Sequence, residues 1–370
     1  MIKVLRLVPE LNYGGVETRL TLQAKNNHFY DYEIDFCAFH NKGVAWKNIS
    51  DAGFSPIILD RSPSVKKLSS TLALYRFLKS NKYDVIHCSV PEANFHGSLA
   101  GKMAGVPCVI VEEVGDPSTR SFLGHCLAAF SMHLADFVVG VSEPVCMYLR
   151  KIIRLPERKI VSINNGVEPS AVPGQSALRQ TRMKWGIPFD SIVIGSVGRL
   201  NDTHKRFSDL MTAFSMLKSE KPLFLVVAGD GPDMQRLKDF AKELKIEGNT
   251  IFLGRQDDMH SVYAAFDIFS LLSEQEAFGL VVVEAMFRGL PAVVTDVGGM
   301  SDIVVDDVTG FKVPRYNSVS ASKSLQKLVD SSDLRNSFGL NGRSRAVTEF
   351  SSDRYLSEVN DLYQHAFNVS

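Results

Sequence analysis

The chain has 370 residues, enough for two domains that each bury a core. Its 41 basic and 41 acidic side chains cancel, which excludes nucleic acid as the expected main partner. An apolar share of 45% is ordinary for a globular protein, and no run reaches membrane-spanning length, so any bilayer contact is expected to be peripheral.

In chain order, residues 2–8 read as a first strand; the apolar run is too short and too broken by charge for a signal peptide. A turn at 12–15 leads into a helix over 16–28, with Val16, Leu20 and Ala24 on one side. Short apolar segments follow at 34–39 and 56–59, then a helical span at 65–80 and a strand at 85–88. Helical and strand-like spans alternate to 141, and a strand at 159–163 closes the first half. Five cysteines (Cys37, Cys88, Cys108, Cys126 and Cys146) are odd in number and lack CxxC spacing, so reduced, mostly buried thiols in a cytoplasmic protein are expected. A loop region at 164–180 is expected to hold the linker. The pattern then restarts with strands at 191–198, 223–229, 250–254, 268–272 and 292–295. Helical spans lie between them at about 206–219, 232–245, 258–265 and 280–288, and three more follow at 320–329, 331–349 and 352–366. Alternation of this kind predicts α/β architecture with two parallel sheets in tandem. The expected division is a first domain of residues 1–168, a second of 169–345, and a terminal helix in 346–370 returning to the first. Ligands of such sheets bind at the C-terminal edges of the strands.

The chemistry-bearing residues cluster at those edges. Asn12, Gly14 and Gly15 follow the first strand, where a glycine pair serves either a tight turn or close passage of a phosphate or sugar. Glu17 suits the first turn of the next helix. Glu112 and Glu113 end the strand that begins at 106; one is expected to reach an acceptor hydroxyl or the donor sugar, the other to accept from loop amides. Residues 116–118 read as a turn. Gly198, Arg199 and Lys205 follow a strand, and the two cations are placed to stabilise a diphosphate that gains charge as its bond to sugar breaks. Gly229 and Gly231 fit a tight crossing near a nucleotide or a purely architectural turn. Arg255 follows another strand, near the phosphates or ribose.

Residues 273–285 are the most informative stretch. Glu276 falls in a loop, Gly279 at a helix start and Glu284 about two turns inside that helix. Amides around Phe278, Gly279, Leu280 and Val281 can hold a phosphate, Glu284 can take the ribose hydroxyls, and Glu276 can orient the donor sugar. His87, His96, His125 and His133 are scattered without metal-site spacing, and no AspxAsp pair is present, so no cofactor and no divalent metal are expected. Two basic spans interleave with apolar residues: Lys66, Lys67, Arg76, Lys79 and Lys82 in one, 150–159 in the other. Each fits either an anionic lipid surface or a solvated helix face.

Segments 14–17, 198–200 with Lys205, 229–232, 276–284 and 301–311, in this order and spacing, resemble the family-4 retaining glycosyltransferases, which adopt the GT-B fold of two Rossmann-like domains facing each other across a cleft. The resemblance implies transfer of a sugar from a nucleoside diphosphate, most commonly uridine, to a glycan or lipid-linked saccharide. It implies retention of anomeric configuration by a front-face route, no metal at the reaction centre, and a place in polysaccharide or lipopolysaccharide assembly at the inner face of a membrane. Gly14 and Gly15 would lie near the donor phosphates and sugar, Arg199 and Lys205 on the pyrophosphate, Glu276 on the sugar and Glu284 on the ribose. The chain departs from the family where many members carry a donor-contacting His; Glu113 stands there, with Glu112 beside it. A two-domain sugar-nucleotide epimerase and a non-catalytic nucleotide-sugar-binding protein are the alternatives. The ordered set from Gly198 to Glu284 weighs against the first, and Glu276 with Arg199 and Lys205 against the second.

Overall fold

Aliphatic and β-branched runs, shielded on both faces, form all-parallel sheets in this chain. In the computed structural model, which describes residues 1–12, 14–26, 32–115, 117, 120–172 and 174–369, they build two units. The first comprises Met1–Glu168 together with Ser352–Ser370, and the second Pro169–Ser351.

Among the described residues the first unit holds seven parallel strands: β1 (Ile2–Leu11), β2 (Tyr32–Lys42), β3 (Ile57–Ile58), β4 (Val85–Ser89), β5 (Cys108–Glu113), β6 (Phe137–Gly140) and β7 (Ile160–Ser162). Their spatial order is β3-β2-β1-β4-β5-β6-β7. Alternation along β1 shows how both faces are covered. Val4 and Val8 pack with Leu20 of the helix Gly15–Lys25 and with Tyr355 and Tyr363 of the helix Ser352–Val369. Leu5 and Leu7 face the other way, toward Leu74, Leu78 and Ala100. Cys37, Cys88, Cys108 and Cys146 are buried and Cys126 is exposed, all as free thiols.

The second unit holds β8 (Ile192–Val197), β9 (Leu223–Ala228), β10 (Thr250–Gly254), β11 (Ile268–Leu271), β12 (Ala292–Thr295) and β13 (Gly310–Val313), in the order β10-β9-β8-β11-β12-β13. The order reverses direction beside β8, between β8 and β11. The C-terminal strand ends beside such a reversal are where open parallel sheets place their ligands.

The structure departs from the expected elements in several places. The helix Gln175–Lys184 lies partly inside the stretch expected as linker. It has no apolar stripe to betray it; buried Arg182 anchors it by donating to the carbonyls of Ala265 and Ser191 and to Asp267. The helix Val44–Asp51 follows β2, where no helix was expected. The expected helix at 206–219 begins at Phe207, and a separate short helix, Asp202–Lys205, precedes it, because Arg206 takes a left-handed conformation (φ 51°). The terminal return starts at Ser352 rather than 346, since the helix Ser332–Phe350 stays with the second unit, its Phe350 ring against Phe278 at 5.8 Å. The expected helix at 16–28 runs over Gly15–Lys25, and residues 27 and 28 lie outside the described residues.

Candidate active site

At the reversal point of the second sheet, the segment after β8 meets the segment after β11. Lys205 Nζ donates to Glu276 Oε2 at 2.5 Å, with both side chains half-buried. The amide of Glu274 donates to the carbonyl of His204 at 2.8 Å, so the two loops are also joined through backbone. Lys205 is held from behind. Asp202, at the start of its short helix, is buried and accepts from Arg236 (2.7 Å) and from the amide of Ser208 (2.8 Å). Arg199 is exposed on the same segment and forms no ion pair among the described residues.

Backbone packing explains the glycines. Gly229 has φ +136°, and a Cβ there would lie 1.9 Å from the carbonyl oxygen of Gly198. Only glycine lets the ends of β8 and β9 pass so closely. The amide of Gly229 donates to the carbonyl of Gly254, which joins the end of β10 to the same group.

The loop carrying Glu276 is clamped on its other side by Gly298 and Gly299, after β12. A Cβ on Gly298 would meet the Glu276 carbonyl oxygen at 1.8 Å, and the Gly299 amide donates to that oxygen at 3.1 Å. Thr295 Oγ1 donates to the carbonyl of Ser273, whose hydroxyl stands 3.5 Å from the Glu276 carboxylate. These two glycines were missed in the sequence, although they follow a strand just as Gly198 and Gly229 do.

Gly279 then opens the helix Leu280–Phe287. The amides of Leu280 and Val281 lie in its first turn, where N–H groups lack partners inside the helix. Phe278 is buried beneath them. Glu284 is half-buried further along and accepts from the Tyr263 hydroxyl at 2.7 Å. Burial raises its carboxyl above the ordinary range, against the opposing pull of Tyr263 and Arg288. Arg288 in turn lies 4.6 Å over the Tyr263 ring. Arg255 is exposed at the end of β10, 3.7 Å from Asp257, two strands away from β8.

The first unit requires corrections. Of Glu112 and Glu113, one was expected to reach an acceptor hydroxyl or the donor sugar and the other to accept from loop amides; Glu112 is engaged otherwise. It is 2% exposed, and its carboxylate is consumed by Arg19 (2.5 and 3.2 Å) and the hydroxyl of Ser89 (2.5 Å), with Arg6 at 3.8 Å. Burial pushes its carboxyl up, but Arg19 and then Arg6 outweigh that and hold it at about 2. It is a structural counter-ion. Glu113, expected on the donor sugar or acceptor, is 1% exposed, and both its oxygens accept from Arg120 at 2.5 and 2.7 Å. It also accepts from the amide of Gly115 at 3.2 Å, the loop-amide role expected for one of the pair. It ties down the loop after β5 rather than standing open to a ligand. The turn expected at 116–118 includes Asp116 and Ser118, which lie outside the described residues.

His87, unassigned by its spacing, is buried mid-strand in β4, where it receives a hydrogen bond from Arg6 and lies 2.8 Å from the Tyr363 hydroxyl. Burial, then the nearby Arg6 charge, keeps it neutral. Asn12, Gly14 and Gly15 do follow β1, at that sheet's own reversal point, with Asn12 half-buried against Gly43. Among the described residues no group of three or more His, Cys, Asp or Glu side chains is placed to hold a metal ion, and no helix is long and apolar enough to cross a membrane.

Comparison with known proteins bears on both units. Residues 13–171 match the family described as Glycosyltransferase Family 4, and residues 179–345 the one described as Glycosyl transferases group 1. N-acetyl-alpha-D-glucosaminyl L-malate synthase of Bacillus anthracis is 26% identical over 75% of this chain and 73% of its own length. The UDP-Gal:alpha-D-GlcNAc-diphosphoundecaprenol alpha-1,3-galactosyltransferase of Escherichia coli is 25% identical over 84% and 83%. Among solved structures, Anabaena Alr3699/HepE in complex with UDP superposes with a TM-score of 0.87 at 20% identity, covering 98% of this chain and 100% of that one.

Proposed function

The chain belongs to the family-4 glycosyltransferases, with their two-domain GT-B fold, and from that premise we propose that it transfers a sugar from a UDP-sugar to a hydroxyl of a glycan or lipid-linked saccharide, with retention and without a divalent metal. One observation carries the reading. Lys205 and Glu276 meet at the reversal point of the second sheet, and the loop that carries Glu276 runs directly into the helix Leu280–Phe287, which holds Glu284.

In this reading Arg199, Lys205 and the helix amides bind the diphosphate, doing electrostatically what a metal ion would otherwise do. Glu284 accepts from the two ribose hydroxyls. Glu276 accepts from hydroxyls of the transferred sugar. The acceptor oxygen forms a bond to the anomeric carbon as the bond from that carbon to the β-phosphate oxygen breaks. The departing diphosphate oxygen takes the acceptor's proton on the same face, so configuration is kept and the products are a glycoside and UDP. Uridine is supported by the UDP complex of the Anabaena neighbour and by the galactosyl donor in the name of the Escherichia coli relative. That relative's name also supports a lipid-linked acceptor, and with it a cytoplasmic protein working at a membrane surface. Lys66, Lys67, Arg76 and Lys79 are exposed in or beside the helix Leu68–Asn81, as are Leu68 and Leu72. Charge reversal of the four cations is expected to abolish binding to anionic liposomes; unchanged binding would remove this helix from the account.

The test is titration calorimetry with UDP, GDP and ADP in the presence of EDTA, followed by turnover of the matching sugar donors on lipid-linked and soluble saccharides. Selective UDP binding and product with retained configuration are expected. Metal-dependent turnover or an inverted product would refute the mechanism.

A further inference from the structure

Lys205 is satisfied before any donor arrives. Its ammonium and the Glu276 carboxylate are 2.5 Å apart and only 23% and 17% exposed, so their attraction is poorly screened. A diphosphate that binds Lys205 has to displace this carboxylate. The backbone that carries this carboxylate is clamped. The Glu276 carbonyl accepts from Gly299 and abuts Gly298, and among the described residues Ser273 is the one other hydrogen-bond partner of its side chain. Counting formal charges, Arg199 and Lys205 give +2 and Glu276 brings the cluster to +1.

We infer that Glu276 competes with the diphosphate for Lys205 and thereby weakens binding of the released nucleoside diphosphate more than that of the intact donor. This rests on the reading of the β8/β11 reversal point as the diphosphate site. The asymmetry follows from hydrogen bonding. When the donor is intact, its sugar hydroxyls give the displaced carboxylate new donors. When only the diphosphate remains, the carboxylate is left next to a more negative anion with only the distant Ser273 hydroxyl to accept from, a costly arrangement in a shielded site. The residue that orients the sugar therefore also promotes product departure, and replacing it should tighten the grip on product.

Titration calorimetry of UDP and of uridine against wild type, Glu276→Gln, Lys205→Met and the double variant tests this. Glu276→Gln is expected to bind UDP about tenfold more tightly than wild type, equivalent to about 1.4 kcal/mol, with uridine unchanged. The gain should vanish in the Lys205→Met background. Glu276→Asp, which withdraws the carboxylate by one methylene, should show a smaller gain and serves if the Gln variant does not fold. Equal or weaker UDP binding by folded Glu276 variants overturns the inference, as does a gain that survives loss of Lys205. Failure of wild type to bind UDP, GDP or ADP at all would instead overturn the diphosphate-site reading on which it stands.

Discussion

Replacing Glu112 by Gln should destabilise the first unit strongly at neutral pH and much less in acid. The carboxylate faces two buried guanidiniums, Arg19 in two-point contact and Arg6 at 3.8 Å. Breaking such a buried pair by removing one partner costs roughly 3–5 kcal/mol, because the surviving charge stays desolvated. A second route gives a similar size. The folded carboxyl titrates at about 2 against an ordinary 4.5, and this gap corresponds to about 3 kcal/mol of linkage. The sign follows from the depressed value. The stabilisation is complete above the unfolded value and is lost as pH falls through the folded one, so about 2 kcal/mol of it should be gone by pH 3. The chain has two tryptophans, Trp46 in the first unit and Trp185 in the second. In a Trp185→Phe background, Trp46 fluorescence follows urea unfolding of the first unit alone, which avoids treating a two-unit chain as a single transition. The wild-type minus Glu112→Gln difference should shrink steadily from pH 7 to pH 3. A difference that is flat with pH, or smaller than about 1 kcal/mol at pH 7, would refute the counter-ion assignment.

Three further outcomes are expected. Gly229→Ala should cost on the order of 3 kcal/mol in the second unit and abolish UDP binding, since its Cβ would collide with the Gly198 carbonyl at a positive φ; thermal unfolding and calorimetry check both. Glu284→Gln should raise the donor KM roughly tenfold with kcat little changed, because the ribose contact proposed for it would be made equally in ground and transition states. The same variant should lose the preference for UDP over 2′-deoxy-UDP that wild type is expected to show. Tyr363→Phe should lower first-unit stability by about 1–2 kcal/mol by stripping the hydroxyl that Arg6 and His87 share, read by the same Trp46 unfolding curve, while calorimetric affinity for UDP stays unchanged.

Much of the second unit could be read from the chain because its polar residues sit in loops directly after apolar strands, punctuated by glycine. Glu276, Gly279 and Glu284 came from one contiguous stretch. That Lys205 pairs with Glu276, 71 residues away, depends on β8 lying beside β11, a neighbour relation that sequence order does not state. The same strand-end logic misled in the first unit. Glu112 and Glu113 carry the same local signature as a ligand-facing pair, and what distinguishes them is Arg19, 93 residues distant, and Arg120 on the following loop. Local pattern reports that a carboxylate stands at a strand end; it does not report whether a guanidinium already occupies it. The helix Gln175–Lys184 escaped for a related reason, being fastened by Arg182 rather than by an apolar stripe.

The return of the chain at Ser352 has a consequence for synthesis. The second unit is one uninterrupted stretch and can complete its sheet while still near the ribosome. The first unit must wait. Its Arg6 and His87 bury against Tyr363, a residue translated 357 and 276 positions later. Until that residue emerges, a cation and an imidazole meant for a sealed interior remain wet, and the face built by Val4 and Val8 lacks its cover. The half of the protein made first is therefore the half finished last, and a chain stalled anywhere before the final helix presents an open apolar face to the cell's quality-control machinery.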